Sequence, residues 1–125
     1  MHRIVGSGIT TNRNKATAMC RSLWATCQYP DSCDEYPFAS TKEGAASTPS
    51  NYSVELIKLE DNCASGSRLG WFYQQNRIIP EHRNDRGLMA GTPFYVSVVT
   101  SGPSNPKGPS TPDGLPLSER FCDEQ

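Results

Sequence analysis

A chain of 125 residues with 35% hydrophobic side chains, ten prolines and ten glycines accommodates one domain with a small core and much loop. A net charge of −1, from 12 basic and 13 acidic side chains, excludes a protein that holds nucleic acid by phosphate neutralisation alone. It leaves open one that meets a phosphate through a carboxylate-bound metal ion.

Residues Asn12 to Thr26 are expected to form a helix, capped by Asn12 or Asn14, with Ala16, Met19, Cys20, Leu23 and Trp24 on one apolar face. Tyr29-Pro30-Asp31 ends it. Cys33 to Ser40 follows as a short edge strand, in which Tyr36 and Phe38 alternate with Glu35 and Pro37. Thr41 to Asn51 is polar and rich in Gly, Ser and Thr, hence a loop. Tyr52 to Leu59 is a second strand. Tyr52, Val54 and Leu56 share one phase and Ile57 and Leu59 the other, which implies a bulge or burial on both faces. Asp61 and Asn62 suit a helix start, and Leu69, Phe72, Tyr73 and Asn76 recur at helical spacing through Ala64 to Asn76. Trp24, Trp71 and Phe72 sit in these apolar patterns and are expected in the core. Glu81 to Gly87 is charged and solvated. Phe94 to Val99 is the strongest strand pattern, closing a domain over 1–100. Residues 101–125 form an extended tail rich in Pro, Ser and Gly, pinned by Phe121 and Cys122. The fold class is therefore α+β: a small antiparallel sheet with packed helices.

No apolar run reaches the length of a membrane span, and the N-terminus lacks the charged-then-apolar pattern of a signal peptide. The chain is expected to be a mature domain or the end of a longer protein, with export depending on a segment outside it. None of Cys20, Cys27, Cys33, Cys63 and Cys122 forms a C-x-x-C pair. Two disulfides in an oxidising compartment are favoured over a zinc site built from Cys20, Cys27, Cys33 and Cys63. The fifth cysteine then stays free or pairs elsewhere.

The segment Cys33-Asp34-Glu35-Tyr36-Pro37-Phe38-Ala39-Ser40 carries the most chemistry. Adjacent carboxylates on a regular strand point to opposite faces, so one faces a cleft while the other supports it. On composition alone the pair reads as a solvated acidic strand start. Its company changes that reading: Lys42-Glu43-Gly44 follows closely, and Asp61-Asn62 opens the next helix. Carboxylates and an amide on one strand–loop–strand–helix frame are suitable oxygen ligands for Mg²⁺ or Mn²⁺, with Ca²⁺ also accommodated.

The run CDEYPFAS, then KEG, then DNCASGSRLG, with a closing PFYVSVV, resembles the NucA/NucB deoxyribonuclease family. The likeness spans about Asn12 to Val99 and is tightest from Cys33 to Gly70. It implies a variant of the ββα-metal nucleases in which an acidic residue stands where a histidine base is usual. Asp34 then corresponds to the general base, with Glu35 as its acidic neighbour. Glu43 aligns with the glutamate of the family's K-E-G-G segment and Ser67 with the serine of its G-S segment, and both join the catalytic set. Asn62, Glu43 and Asp34 are the implied ligands of one divalent ion. Arg68 and Arg77 are candidate phosphate contacts, though each also reads as a solvated helix face. Three departures stand out: Ala45 replaces a second glycine, Cys63 replaces an arginine, and the tail after Thr100 is additional.

The expected function is thus metal-dependent cleavage of DNA by a monomer acting outside the cell that makes it. It would serve as a scavenger or as the toxic end of a delivered effector with a cognate inhibitor protein. His82 lies in a charged loop beyond the helix and reads as a surface histidine, not as a base. A serine or cysteine hydrolase is unsupported, with no G-x-S-x-G elbow and no histidine partner for Cys33. The competing reading is a non-catalytic, disulfide-stapled extracellular binding module.

Overall fold

The structure, a computed structural model, describes residues 1–25, 27, 29–47 and 50–97. Its elements run α1 (Ser7–Leu23), β1 (Asp31–Tyr36), β2 (Ser53–Lys58), α2 (Leu59–Gln75), β3 (His82–Arg83) and β4 (Met89–Ala90). The chain is a small α+β fold, and the strand–loop–strand–helix order expected from the sequence is present as β1, β2 and α2. The extended tail from 101 onward, including Phe121 and Cys122, lies outside the described residues.

β1 and β2 pair antiparallel in an unbroken register from Asp31↔Lys58 to Tyr36↔Ser53. There is no bulge, so the two apolar phases of β2 reflect burial on both sides of the hairpin. Cys33 and Glu35 face α1, whose Cys20 is disulfide-bonded to Cys33. Ser32, Asp34 and Tyr36 take the other face, towards α2, where Asn62 Nδ2 donates to Ser32 Oγ at 2.9 Å. Both helices touch both strands but not each other, so the hairpin is held between them. β1 stops at Tyr36 because Pro37 has no N–H to continue the ladder.

α1 begins five residues earlier than expected. Gly6 is its N-cap, without a side-chain cap bond. Asn12 is therefore no cap but a buried mid-helix residue. Its buried stripe is Asn12, Ala16 and Cys20, whereas Met19 and Leu23 are exposed. Asn12 is 3% exposed, donates to Ala39 O at 2.8 Å and to Thr41 O at 2.9 Å, and accepts from Ala46 N–H at 2.9 Å. It thereby binds the 39–46 loop to α1. Gly44 packs directly on this amide, and a Cβ there would collide with it, which gives the glycine of Lys42-Glu43-Gly44 a physical reason. Asn12→Ala would leave the Ala39 carbonyl and the Ala46 N–H unpaired, with Thr41 O keeping only its Gly44 N–H donor, and is expected to cost about 3 kcal/mol. A urea titration with a lowered midpoint and unchanged slope would show it.

The core under α2 is Tyr73, Ile78 and Phe94, joined by Met1, Phe38, Leu69 and Phe72. The rings of Phe72, Tyr73 and Phe94 meet at 5.5 to 6.1 Å, mostly edge to face. The N-terminal segment threads through this region. Arg3 donates to Ile78 O and lies over the Tyr73 ring, 4.8 Å from its centroid, and Ile4 N–H donates to Ser40 O. The expected closing strand differs from the structure. Phe94 is buried, yet 94–97 are not in a strand, and Pro93 alone makes an isolated bridge, to His2. The partner for this segment is thus the chain start, whose two or three residues are too few for a ladder. Val98 and Val99 lie outside the described residues.

Candidate active site

β1 ends at a cleft bordered by Asp34, Glu35, Phe38, Ala39, Ser40 and Leu69. Asp34 and Glu35 border it from β1, Phe38, Ala39 and Ser40 from the segment that follows, and Leu69 from α2. Three anchors fix that segment. Asn12 holds it from α1, Tyr73 OH pairs with Ser40 Oγ at 2.9 Å from α2, and Thr41 N–H closes a turn on Phe38 O.

Burial pushes the Asp34 carboxyl above its ordinary range. A hydrogen bond from the Glu35 backbone opposes this, and the charge of Glu55 across the ladder adds to it. Glu35 is pushed up to about 7, chiefly by burial; the Arg13 guanidinium on α1 works against the shift and the Asp34 charge works with it. Glu35 Oε2 is buried without a hydrogen-bond partner. Asp34 is the more accessible of the two carboxylates, and Glu35 is the more deeply buried.

Asn62, in the first turn of α2, donates to Ser32 Oγ and to Cys33 O at 3.0 Å. It thus braces β1 immediately before Asp34, while the cleft itself is bordered by Asp34 and Glu35 and not by Asn62. Glu43 stands elsewhere. Its carboxylate takes the His2 backbone N–H at 2.9 Å and the His2 ring Nδ1 at 2.8 Å. Burial alone would raise the Glu43 carboxyl, but these bonds hold it below the usual range. Ser67 Oγ donates to Cys63 O one helical turn back, as helical serines often do. Arg68 and Arg77 are both exposed; Arg68 lies about a quarter turn from the cleft-lining Leu69. His82 is exposed on β3, its Nδ1 against Pro80 O at 2.9 Å, as a surface histidine should be.

Asp34 and Glu35 are hard oxygen donors, and the unpartnered buried Oε2 is an oxygen that a cation or proton would satisfy. No group of three or more His, Cys, Asp or Glu converges among the described residues. Mg²⁺ keeps several waters and takes only one or two carboxylates, so this pair fits such an ion. A zinc site of four cysteines is excluded: Cys20 and Cys33 are bonded to each other, Cys63 is also in a disulfide, and Cys27 is free.

Sequence reasoning missed Arg13, Asn12, Ser40 and Tyr73. Asn12 had a legible signal: it stands four residues before Ala16 and eight before Cys20, a polar residue on a buried stripe. Arg13 had none, since its neighbour Glu35 is 22 positions away.

The frame is a hairpin flanked by two helices in the order β1, β2, α2, with adjacent acids near the end of β1. Residues 7–85 match the deoxyribonuclease NucA/NucB family, and the chain belongs to it. The match stops short of Phe94 to Val99. No curated protein and no solved structure shows significant similarity to the chain.

Proposed function

We propose that the protein is a divalent-metal-dependent endonuclease that hydrolyses phosphodiester bonds of DNA, with Asp34 as general base. The observation that carries this reading is the Asp34–Glu35 pair, half-buried at one cleft and held from both sides by α1 and α2. Family membership supports DNA as substrate.

Asp34, the more accessible carboxylate, takes the proton from the attacking water; its raised proton affinity makes it a better base than an ordinary aspartate. Glu35 sits below it, opposite Arg13, and keeps a second oxygen donor at the cleft. Asn62 fixes the backbone that aims Asp34. A bound Mg²⁺ or Mn²⁺, held by Asp34 and Glu35 with water, would offset the negative charge on the phosphate oxygens and on the departing 3′ oxygen. Glu43 would join only by releasing His2, and Arg68 or Arg77 would meet flanking phosphates further out.

The disulfide supports action in an oxidising compartment outside the producing cell. Among the described residues no helix is long and apolar enough to cross a membrane. A delivered toxin would also have a cognate inhibitor protein, which pull-down with the purified chain would recover.

Chelation is the expected control of activity. EDTA should abolish plasmid nicking, and excess Mg²⁺ or Mn²⁺ should restore it. Nicking that persists after exhaustive chelation would rule out the metal while leaving the nuclease intact.

A further inference from the structure

We propose that Tyr36 is a stacking platform for a nucleobase of the substrate, beside the phosphate that Asp34 addresses. This rests on the nuclease reading above and adds how the cleft positions its strand.

Strand alternation puts Ser32, Asp34 and Tyr36 on one face of β1, and the Asn62–Ser32 bond fixes that face on the α2 side. Tyr36 is 40% exposed although Pro37, Ala39 and Ser40, which follow it, are buried. Its ring plane is set by Phe38, edge to face at 5.7 Å and 81°, and Phe38 itself lines the cleft. A partly exposed aromatic ring is thus held beside the cleft by a residue that lines it. Tyr29 and Tyr95 are more exposed, at 83% and 92%, but have no ring contact among the described residues to orient them.

The spacing suits a nucleotide. Two residues along a strand span about 6.6 Å, on the order of one nucleotide step, so a base on Tyr36 leaves its neighbouring phosphate at Asp34. Stacking on an aromatic side chain is tolerant of base identity and needs an unpaired base. The platform therefore selects single-stranded or locally opened DNA without selecting sequence. It also supplies affinity that a weakly charged surface does not.

The test uses short single-stranded oligonucleotides with one cleavable phosphodiester, in which the nucleotide on either side is replaced in turn by an abasic residue. For the wild type, one of the two replacements should raise KM about tenfold, the scale of base–aromatic stacking, with kcat little changed. Tyr36→Leu should raise KM on the intact oligonucleotide by the same factor. Combining Tyr36→Leu with the abasic strand should add no further loss, while Tyr36→Trp should restore tight binding. Equal KM for intact and abasic strands in the wild type would overturn the platform without any variant. So would losses that multiply when the two changes are combined. A wild type that nicks plasmid but cleaves none of these strands would overturn the platform alone, whereas one that cuts neither would bring down the nuclease reading and this proposal with it.

Discussion

Asp34→Asn is expected to lower kcat on DNA by a factor of about 10² to 10⁴, the range for loss of a positioned general base. The amide keeps the size of the carboxylate but cannot accept a proton from water. Folding should survive, because the variant removes a carboxylate whose charged form burial already disfavours and which lies close to Glu55. Its melting temperature should therefore equal or slightly exceed that of the wild type. Inactivity together with collapse of the fold would mean that Asp34 is structural. Unchanged kcat would move the base elsewhere, with Glu35 the next residue to change.

Removing the Cys20–Cys33 disulfide is expected to produce a large loss of stability. The bond spans 13 residues between α1 and β1 with a Cα–Cα distance of 6.1 Å, and Cys20 is fully buried. Closing a loop of that length is worth about 3 kcal/mol in the chain-entropy account. In a domain of this size that corresponds to a fall of roughly 10–20 °C in melting temperature. Cys20→Ser/Cys33→Ser would show it in a thermal melt. Because Cys33 directly precedes Asp34, activity should be lost on warming well before the disulfide-bonded protein loses it. A fall of under 2 °C would show that helix packing alone holds the hairpin to α1.

The central frame was legible in the sequence because its signals are local. Alternation marked β2, the Asp61-Asn62 start and the Leu69–Phe72–Tyr73 spacing marked α2, and the stretch expected as a strand from Cys33 to Ser40 overlaps β1 only as far as Tyr36, with its adjacent carboxylates bordering the cleft. What escaped depends on distant partners. Nothing near Glu43 in the chain reveals that His2, 41 positions away, occupies its carboxylate. The early start of α1 was hidden because Ser7-Gly8-Ile9-Thr10-Thr11 has weak helix propensity. Phe94 was rightly apolar but wrongly a strand: it is buried against Tyr73 and Phe72 as a single ring. Apolar alternation reports burial, and burial alone does not supply a partner strand.

The most direct test is incubation of supercoiled plasmid with the purified protein and Mg²⁺ or Mn²⁺, with products resolved on a gel. Conversion to nicked and then linear DNA is the predicted result. Plasmid that stays supercoiled with either ion, while the protein is folded and its Cys20–Cys33 bond intact, would contradict the assignment.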